Sequence, residues 1–373
     1  MPDSIPIVDL KAAHTELQTE LEAAAIEVLR SGWYILGPQV RAFEEEFAVW
    51  LGLPAGSAVG VASGTDALLL ALRACNLTPG AEVIVPSHTA VATVAAVELA
   101  GARPVFADIR PDTFTLDPDS VAAAISSRTK AIVPVHLYGQ AADMTPLLAM
   151  ASRHGLAVVE DAAQAHLATS QGRPVGTMGV AGAFSFYPTE NLGALGDGGA
   201  VVTSDAAVAA RIRRLRNGGQ TTRYHHEEAG ANSRLDEMQA AILRARLPYL
   251  AGWTARRRAI AATYRAGIES AMVALPPELD AGHVYHLFPV LSTDRPALQA
   301  HLSASGVETL IHYPVPIPRQ PALAAARPRP CPVTDRICGQ VLSLPLYPML
   351  ADADVRAIIA AVNALPAAAN RRT

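Results

Sequence analysis

The order of segments predicts an α/β fold, with a large, mixed, mostly parallel sheet domain and a small C-terminal α/β domain. Two observations carry this prediction. Short apolar runs alternate with helical stretches between residues 58 and 161, and runs that short and that apolar suit strands buried on both faces. Beyond a long helical stretch, proline becomes frequent, with Pro314, Pro316, Pro318 and Pro321 close together. The large domain is accordingly expected over residues 1–245 and the small one over 246–373.

The elements follow in order. Val40, Phe43, Phe47 and Leu51 recur at spacings of three and four, with Arg41, Glu44, Glu45 and Glu46 between them, which predicts an amphipathic helix. Ala58-Val59-Gly60-Val61 reads as a strand before a helix from Thr65 to Ala74, and Glu82-Val83-Ile84-Val85 as a strand before a helix near Val91 to Leu99. Pro104-Val105-Phe106-Ala107 and Ala131-Ile132-Val133-Pro134-Val135 add two more, the second leading to a helix near Met144 to Arg153. Leu156-Ala157-Val158-Val159 ends at Glu160-Asp161. Gly182 to Tyr187 and Ala200 to Thr203 flank a loop holding Gly193, Gly196, Gly198 and Gly199, and a helix near Ala206 to Arg216 follows. From Ser233 to Ala266 a pattern rich in Ala, Leu and Arg predicts one long helix bridging the domains.

Composition narrows the function. Half of the 373 residues are hydrophobic and 17% are charged, so the chain is globular and long enough for two domains. A net charge of -4 provides no polycationic face for nucleic acid or an anionic membrane. The most apolar region, Val83 to Ala100, is interrupted by Pro86, His88 and Glu98, whereas a membrane span needs roughly 20 apolar residues. Asp3 and Asp9 near the start argue against a signal peptide. Cys75, Cys331 and Cys338 have no paired spacing and read as reduced thiols of a cytoplasmic protein. Lys11 and Lys130 are the only lysines.

Several residues sit where strand ends meet helix starts. Ser63-Gly64-Thr65 opens a helix whose first N–H groups lack internal partners; it is either an ordinary cap or an anion site. Asp161 closes a strand, where ligands of open α/β sheets collect. It either caps the next helix or pairs with a protonated pyridine nitrogen, and Gln164, one turn later, could reach a ring hydroxyl. His88 follows another strand and could stack on a ring, with a capped helix start between Ser87 and Thr89 as the plainer reading. The hydroxyl of Ser185 could reach a phosphate. Asn232 precedes a helix and reads on its own as a capping residue. His225-His226-Glu227-Glu228 are consecutive, cannot converge easily on one ion, and read as a solvated loop; no metal site is expected.

Taken in order, Gly32-Trp33-Tyr34-Ile35-Leu36-Gly37, Ser63-Gly64-Thr65-Asp66-Ala67-Leu68, Val135-His136-Leu137-Tyr138-Gly139, Glu160-Asp161-Ala162-Ala163-Gln164-Ala165-His166, Asn232-Ser233-Arg234-Leu235-Asp236 and Tyr285-His286-Leu287-Phe288 resemble the DegT/DnrJ/StrS family. These are aminotransferases that use pyridoxal 5'-phosphate (PLP) and act on nucleotide-linked keto sugars. The resemblance runs from residue 5 to residue 350. It implies the fold-type I PLP-dependent transferase architecture and a homodimer with shared active sites. It also implies that Gly64, Thr65 and Ser185 hold the phosphate, that Asp161 pairs with the pyridine nitrogen, and that Gln164 reaches the ring oxygen. His88 takes the ring-stacking position, and Asn232 of the partner subunit reaches the phosphate. Ile311-His312-Tyr313-Pro314-Val315-Pro316 is similar to the substrate-side segment of members that aminate a 3-keto position, which makes His312 and Tyr313 candidate substrate residues.

The stretch Phe184 to Gly193 resembles that family's Schiff-base segment, in which a lysine precedes Asn-Leu-Gly; here Glu190 stands at that position. Lys130 begins its strand at the amino end, roughly 17 Å from the carboxyl end where the site would lie, and nothing places Lys11 at the ring. The cofactor expected is therefore PLP or pyridoxamine 5'-phosphate (PMP), bound noncovalently. The expected reaction moves an amino group from an amino-acid donor such as glutamate to a keto-deoxysugar nucleotide at C3, impaired by Glu190. Two further readings stay open: a lysine-free, PMP-dependent sugar dehydratase with Glu190 as base, and a non-enzymatic homologue that binds cofactor or sugar nucleotide.

Overall fold

The computed structural model describes residues 4–279, 281–326 and 329–366. Seven strands form its main sheet: β1 (Ala58–Val61), β2 (Glu82–Pro86), β3 (Arg103–Ala107), β4 (Thr129–Ile132), β5 (Ala157–Asp161), β6 (Ala181–Ser185) and β7 (Gly199–Val202). Their spatial order is β1-β7-β6-β5-β4-β2-β3. β7 runs antiparallel to both of its neighbours, and every other pairing in the sheet is parallel.

The sheet is covered on both sides because its strands are apolar at successive positions. Val59, Val61, Ala181, Ala183 and Val201 face one core, with Leu68, Leu72 and Val94 from helices Gly64–Ala74 and Val91–Leu99. Ala58, Phe184, Ala200 and Val202 point the other way, into a second core with Phe43 and Phe47 of helix Pro38–Trp50. This is the period-2 alternation of strands at work on both faces. Phe47 packs edge-on against Phe184 and Phe186, with ring centroids 5.2 and 5.5 Å away. The helical period read from Val40 to Leu51 thus supplies the ridge that covers β1, β6 and β7.

The long helix expected from Ser233 to Ala266 is broken. Helix Glu237–Arg246 ends in a 3₁₀ turn, Leu247–Tyr249, before helix Leu250–Gly267 begins. Pro248 lies in that turn; it has no N–H to donate, and its ring crowds the preceding turn. Beyond the break, Ile260 and Tyr264 join Phe288, Leu342, Leu344 and Ile358 in a separate core around the antiparallel pair Phe288–Leu291 and Val341–Leu344. The N-terminal segment crosses to this core. Ile5 donates to the Gly306 carbonyl at 2.8 Å and accepts from the Glu308 N–H at 3.0 Å, and Ile5 and Val8 pack against it.

A carboxylate holds one helix start from a distance of some two hundred residues. Glu237, 1% exposed, accepts from the N–H groups of Gly37, Gln39 and Val40 at 2.7, 2.8 and 2.9 Å. It caps helix Pro38–Trp50 in place of a local side chain, and Gly37 permits this because a Cβ there would lie 2.7 Å from the Glu237 carboxyl. Glu237→Ala leaves those donors without an acceptor and is expected to lower the unfolding free energy by about 3 kcal/mol. Urea denaturation measures this; an unchanged midpoint would show that the cap contributes nothing.

Candidate active site

The carboxyl ends of β1, β5 and β6 open onto a cleft of about 780 Å³, counted out to its open, solvent-filled mouth. Seven residues singled out from the sequence meet on its surface: Gly64, Thr65, Asp161, Gln164, Ser185, Glu190 and Tyr313. The register explains the convergence. Asp161 lies opposite Ala183, Ser185 opposite Gly199, and Val61 opposite Gly199, so all end at one edge of the sheet.

At one end of the cleft is the start of helix Gly64–Ala74. Ser63 caps it by accepting from the Asp66 N–H at 3.1 Å, and its carbonyl takes the Ala67 N–H at 2.9 Å. None of the described hydrogen bonds uses the N–H of Gly64 or Thr65. A Cβ on Gly64 would meet the Ser185 Cβ at 2.7 Å, so glycine is what allows the strand end and the helix start to touch. Free amide donors, two hydroxyls and a helix N-terminus make a fitting cradle for a phosphate.

Further in, Asp161 is 5% exposed. One carboxylate oxygen accepts from the Thr93 hydroxyl at 2.8 Å and the other from the Ala163 N–H at 3.1 Å. Burial pushes its carboxyl above the usual aspartate range, against those two donors. A pyridinium N–H is the kind of partner such an acid lacks. Gln164 is held rigidly: its oxygen accepts from the Tyr138 N–H at 2.8 Å, and its amide donates to the Tyr313 hydroxyl at 3.3 Å. The buried Asp161, the preset Gln164 and the cradle together fit a phosphorylated pyridine.

Glu190 borders the same cleft, and its Oε2 is buried without a hydrogen-bond partner. The nearest basic atom is His286 Nδ1 at 3.5 Å, which lies 3.3 Å from the Asn191 side-chain oxygen. Burial, then the charge of Asp161, holds the Glu190 carboxyl well above the ordinary range, with Arg257 opposing. Burial and the nearby Arg257 hold His286 well below the ordinary histidine range, so it is neutral. Arg257 directs its Nη1 at the carbonyls of Tyr285, His286 and Leu346, 3.2, 3.2 and 2.9 Å away.

Two expected site residues, His88 and His312, lie off the cleft. His88 does not stack over the cleft: it is 1% exposed and bonded on both ring nitrogens, and Thr89 and Ala90 form the cleft surface there. The Tyr138 hydroxyl donates to the His312 carbonyl, so it accepts from His88 Nε2 at 2.8 Å. That leaves Nδ1 to accept from the Cys338 thiol at 3.3 Å. His88 is thus a strut behind the wall that carries Tyr313. His312 faces Ser343, 2.9 Å from Nδ1 to the hydroxyl, while its neighbour Tyr313 lines the cleft. Asn232 is exposed and off this chain's cleft, on a segment bridged to Ile35 through Asp236. Lys130 and Lys11 are exposed and off the cleft. His225 and His226 are exposed, and Glu228 pairs with Arg211 and Arg214.

Sequence reasoning missed Thr93, Asn191, His286 and Arg257. Asn191 and His286 both lay inside quoted motifs, but no spacing rule brings residues ninety-five positions apart together. Thr93 sits four residues beyond Thr89 and meets its hydroxyl at 3.0 Å, a helical spacing that placed it on the same face.

A model of the DegT/DnrJ/EryC1/StrS aminotransferase family matches residues 15–363. The dTDP-3-amino-3,4,6-trideoxy-alpha-D-glucose transaminase of Streptomyces venezuelae is 50% identical over 363 residues, covering 96% of this chain and 95% of that one. The dTDP-3-amino-3,6-dideoxy-alpha-D-galactopyranose transaminase of Aneurinibacillus thermoaerophilus is 45% identical, covering 96% and 99%. Among solved structures, S. venezuelae DesV in complex with a ketimine intermediate superposes with a TM-score of 0.93 at 49% identity, over 97% of this chain and 98% of that one. NtdA of Bacillus subtilis with bound PMP superposes with a TM-score of 0.90 at 30% identity, over 97% and 85%. The architecture is fold-type I α/β.

The raised Glu190 carboxyl has a consequence for stability. It stabilises the fold while protonated; that contribution is complete below the ordinary value of 4.5 and is lost as pH rises through the raised one. Without added ligand, Glu190→Gln is expected to melt above the unsubstituted chain at about pH 8 and to match it at about pH 4. A gap of the same size at both pH values would contradict a buried, strained carboxyl.

Proposed function

Because this chain belongs to the DegT/DnrJ/EryC1/StrS aminotransferase family, we propose that it holds PLP or PMP noncovalently and acts on a nucleotide-linked keto sugar, with an amino acid such as glutamate as donor. The observation that carries this reading is the meeting of Gly64, Thr65, Asp161, Gln164 and Ser185 on one cleft. When bound, the pyridine ring supplies an electron sink for charge developing at the reacting carbon. Asp161 keeps the ring nitrogen protonated. The first-turn amides with Thr65 and Ser185 anchor the phosphate, Gln164 fixes the ring's rotation, and Tyr313 closes the substrate side. Amination at C3 is supported by the names of the relatives, which are 3-amino-sugar transaminases.

Glu190 takes the place of the family's cofactor-holding lysine in this reading. A carboxylate cannot link to the cofactor, so amino transfer is slowed to a residual rate. The buried acid supports a second reading, in which Glu190 removes a proton from the sugar during a PMP-dependent dehydration. A homodimer is supported by the exposed Trp33, Tyr34 and Ile35 beside the Asn232 segment, through which Asn232 would reach the partner's phosphate site. Among the described residues no helix is long and apolar enough to cross a membrane.

Glu190→Lys with PLP is expected to give a yellow protein, a cofactor fixed by borohydride at residue 190, and transfer from glutamate to a dTDP-3-keto sugar faster than the unsubstituted chain by about a thousandfold. A colourless variant, or one with no gain, would contradict the aminotransferase reading. A dehydrated sugar formed by the unsubstituted chain with PMP would favour the second.

A further inference from the structure

The cleft's charge is one-sided. Asp161, Glu190 and Asp197 line it, and among the described residues no lysine, arginine or histidine does. Asp197 is exposed; Asp161 is buried, and the Glu190 side chain is nearly so. Among the described residues none donates a hydrogen bond to Glu190 Oε2, and the Arg257 charge offsets the burial of its carboxyl only in part. His286, behind it, is neutral and shares Nδ1 with Asn191. Arg257 turns its Nη1 to three backbone carbonyls. Tyr313, on the cleft side, donates no described hydrogen bond to it. The Glu190 side chain is 10% exposed, its Oε2 has no donor, and it borders the cleft shared with Asp161. A carboxylate in that setting is costly unless a ligand brings the missing donor.

We propose that Glu190 is a recognition residue for a primary ammonium, so that this cleft selects the amine form of the pyridine phosphate over its aldehyde and alcohol forms. The inference rests on the cofactor reading above and deepens it. PMP carries two cationic groups at opposite ends of one ring: the ring N–H and the aminomethyl ammonium. Two buried acids on one cleft match that pattern, Asp161 at the first and Glu190 at the second. The aldehyde offers Glu190 no proton, and the alcohol offers only a neutral one. Charge-assisted bonds are about twice as strong as neutral ones, which makes the amine the preferred ligand. The phosphate is held by neutral amides and hydroxyls and is common to all three forms, so it contributes nothing to the choice.

Isothermal titration of the full chain, freed of ligand, tests this with PMP, pyridoxine 5'-phosphate and inorganic phosphate at about pH 8. PLP is left out because its aldehyde reacts with the exposed Lys11 and Lys130. PMP is expected to bind at least about tenfold more tightly than pyridoxine 5'-phosphate. In Glu190→Gln the two are expected to fall within about twofold of each other, with pyridoxine 5'-phosphate binding little changed. Equal affinities in the unsubstituted chain would overturn the inference without any variant, and leave the cofactor reading standing. A preference that survives in Glu190→Gln would also overturn it. Failure of both pyridine phosphates to bind would remove the cofactor reading itself.

Discussion

The site depends on one close approach: the start of helix Gly64–Ala74 lies directly against the ends of β6 and β7. A side chain at Gly64 would strike Ser185, and one at Gly199 would come within 2.4 Å of the Ser63 carbonyl oxygen. Only glycine at both positions lets the helix's unpaired amides and the Ser185 hydroxyl share one corner. The antiparallel turn-back of β7 follows from this geometry, since it brings Gly199 alongside both Val61 and Ser185. The loop between β6 and β7 carries Glu190 to the same cleft.

Neighbouring acids on β5 show how the same residue type becomes structural or chemical. Successive side chains on a strand point to opposite faces. Glu160 turns away from the cleft and accepts from the N–H groups of Gly176, Met178 and Gly179, each at 2.7 Å. It also accepts from His136 Nε2 at 3.1 Å, the tautomer being set because His136 Nδ1 accepts from the Ala142 N–H. Burial alone would raise its carboxyl, but these donors hold it below the ordinary range. Asp161 faces the cleft with fewer donors and is raised instead. Glu190 has the fewest and is raised furthest above its ordinary range. The gradient of satisfied bonds, from Glu160 to Asp161 to Glu190, runs from the scaffold toward the place where a ligand would sit.

Much of this was legible in the sequence because it depends on local pattern. The strands ending at Asp161 and Ser185 could be read from apolar runs, and the helix after Ser63 from its cap and periodicity. What escaped depends on direction or on distance along the chain. His88 was placed at the cleft by its position after β2, but position does not fix where a side chain points, and pairing with Tyr138 and Cys338 turned it inward. The break at Pro248 was readable in principle, since a proline inside a helical pattern removes a donor; the surrounding Ala, Leu and Arg pattern hid it. The chain's return from Ile5 to Val307, and the contact of Glu190 with His286, join segments that no periodicity relates.

We propose that the cleft holds a phosphorylated pyridine without a covalent link. Electrospray mass spectrometry of the chain with added PMP, under native and then denaturing conditions, tests it most directly. One PMP per chain in the native spectrum, and the bare chain mass after denaturation, is the predicted result. No adduct in the native spectrum, or an adduct that survives denaturation, would contradict it.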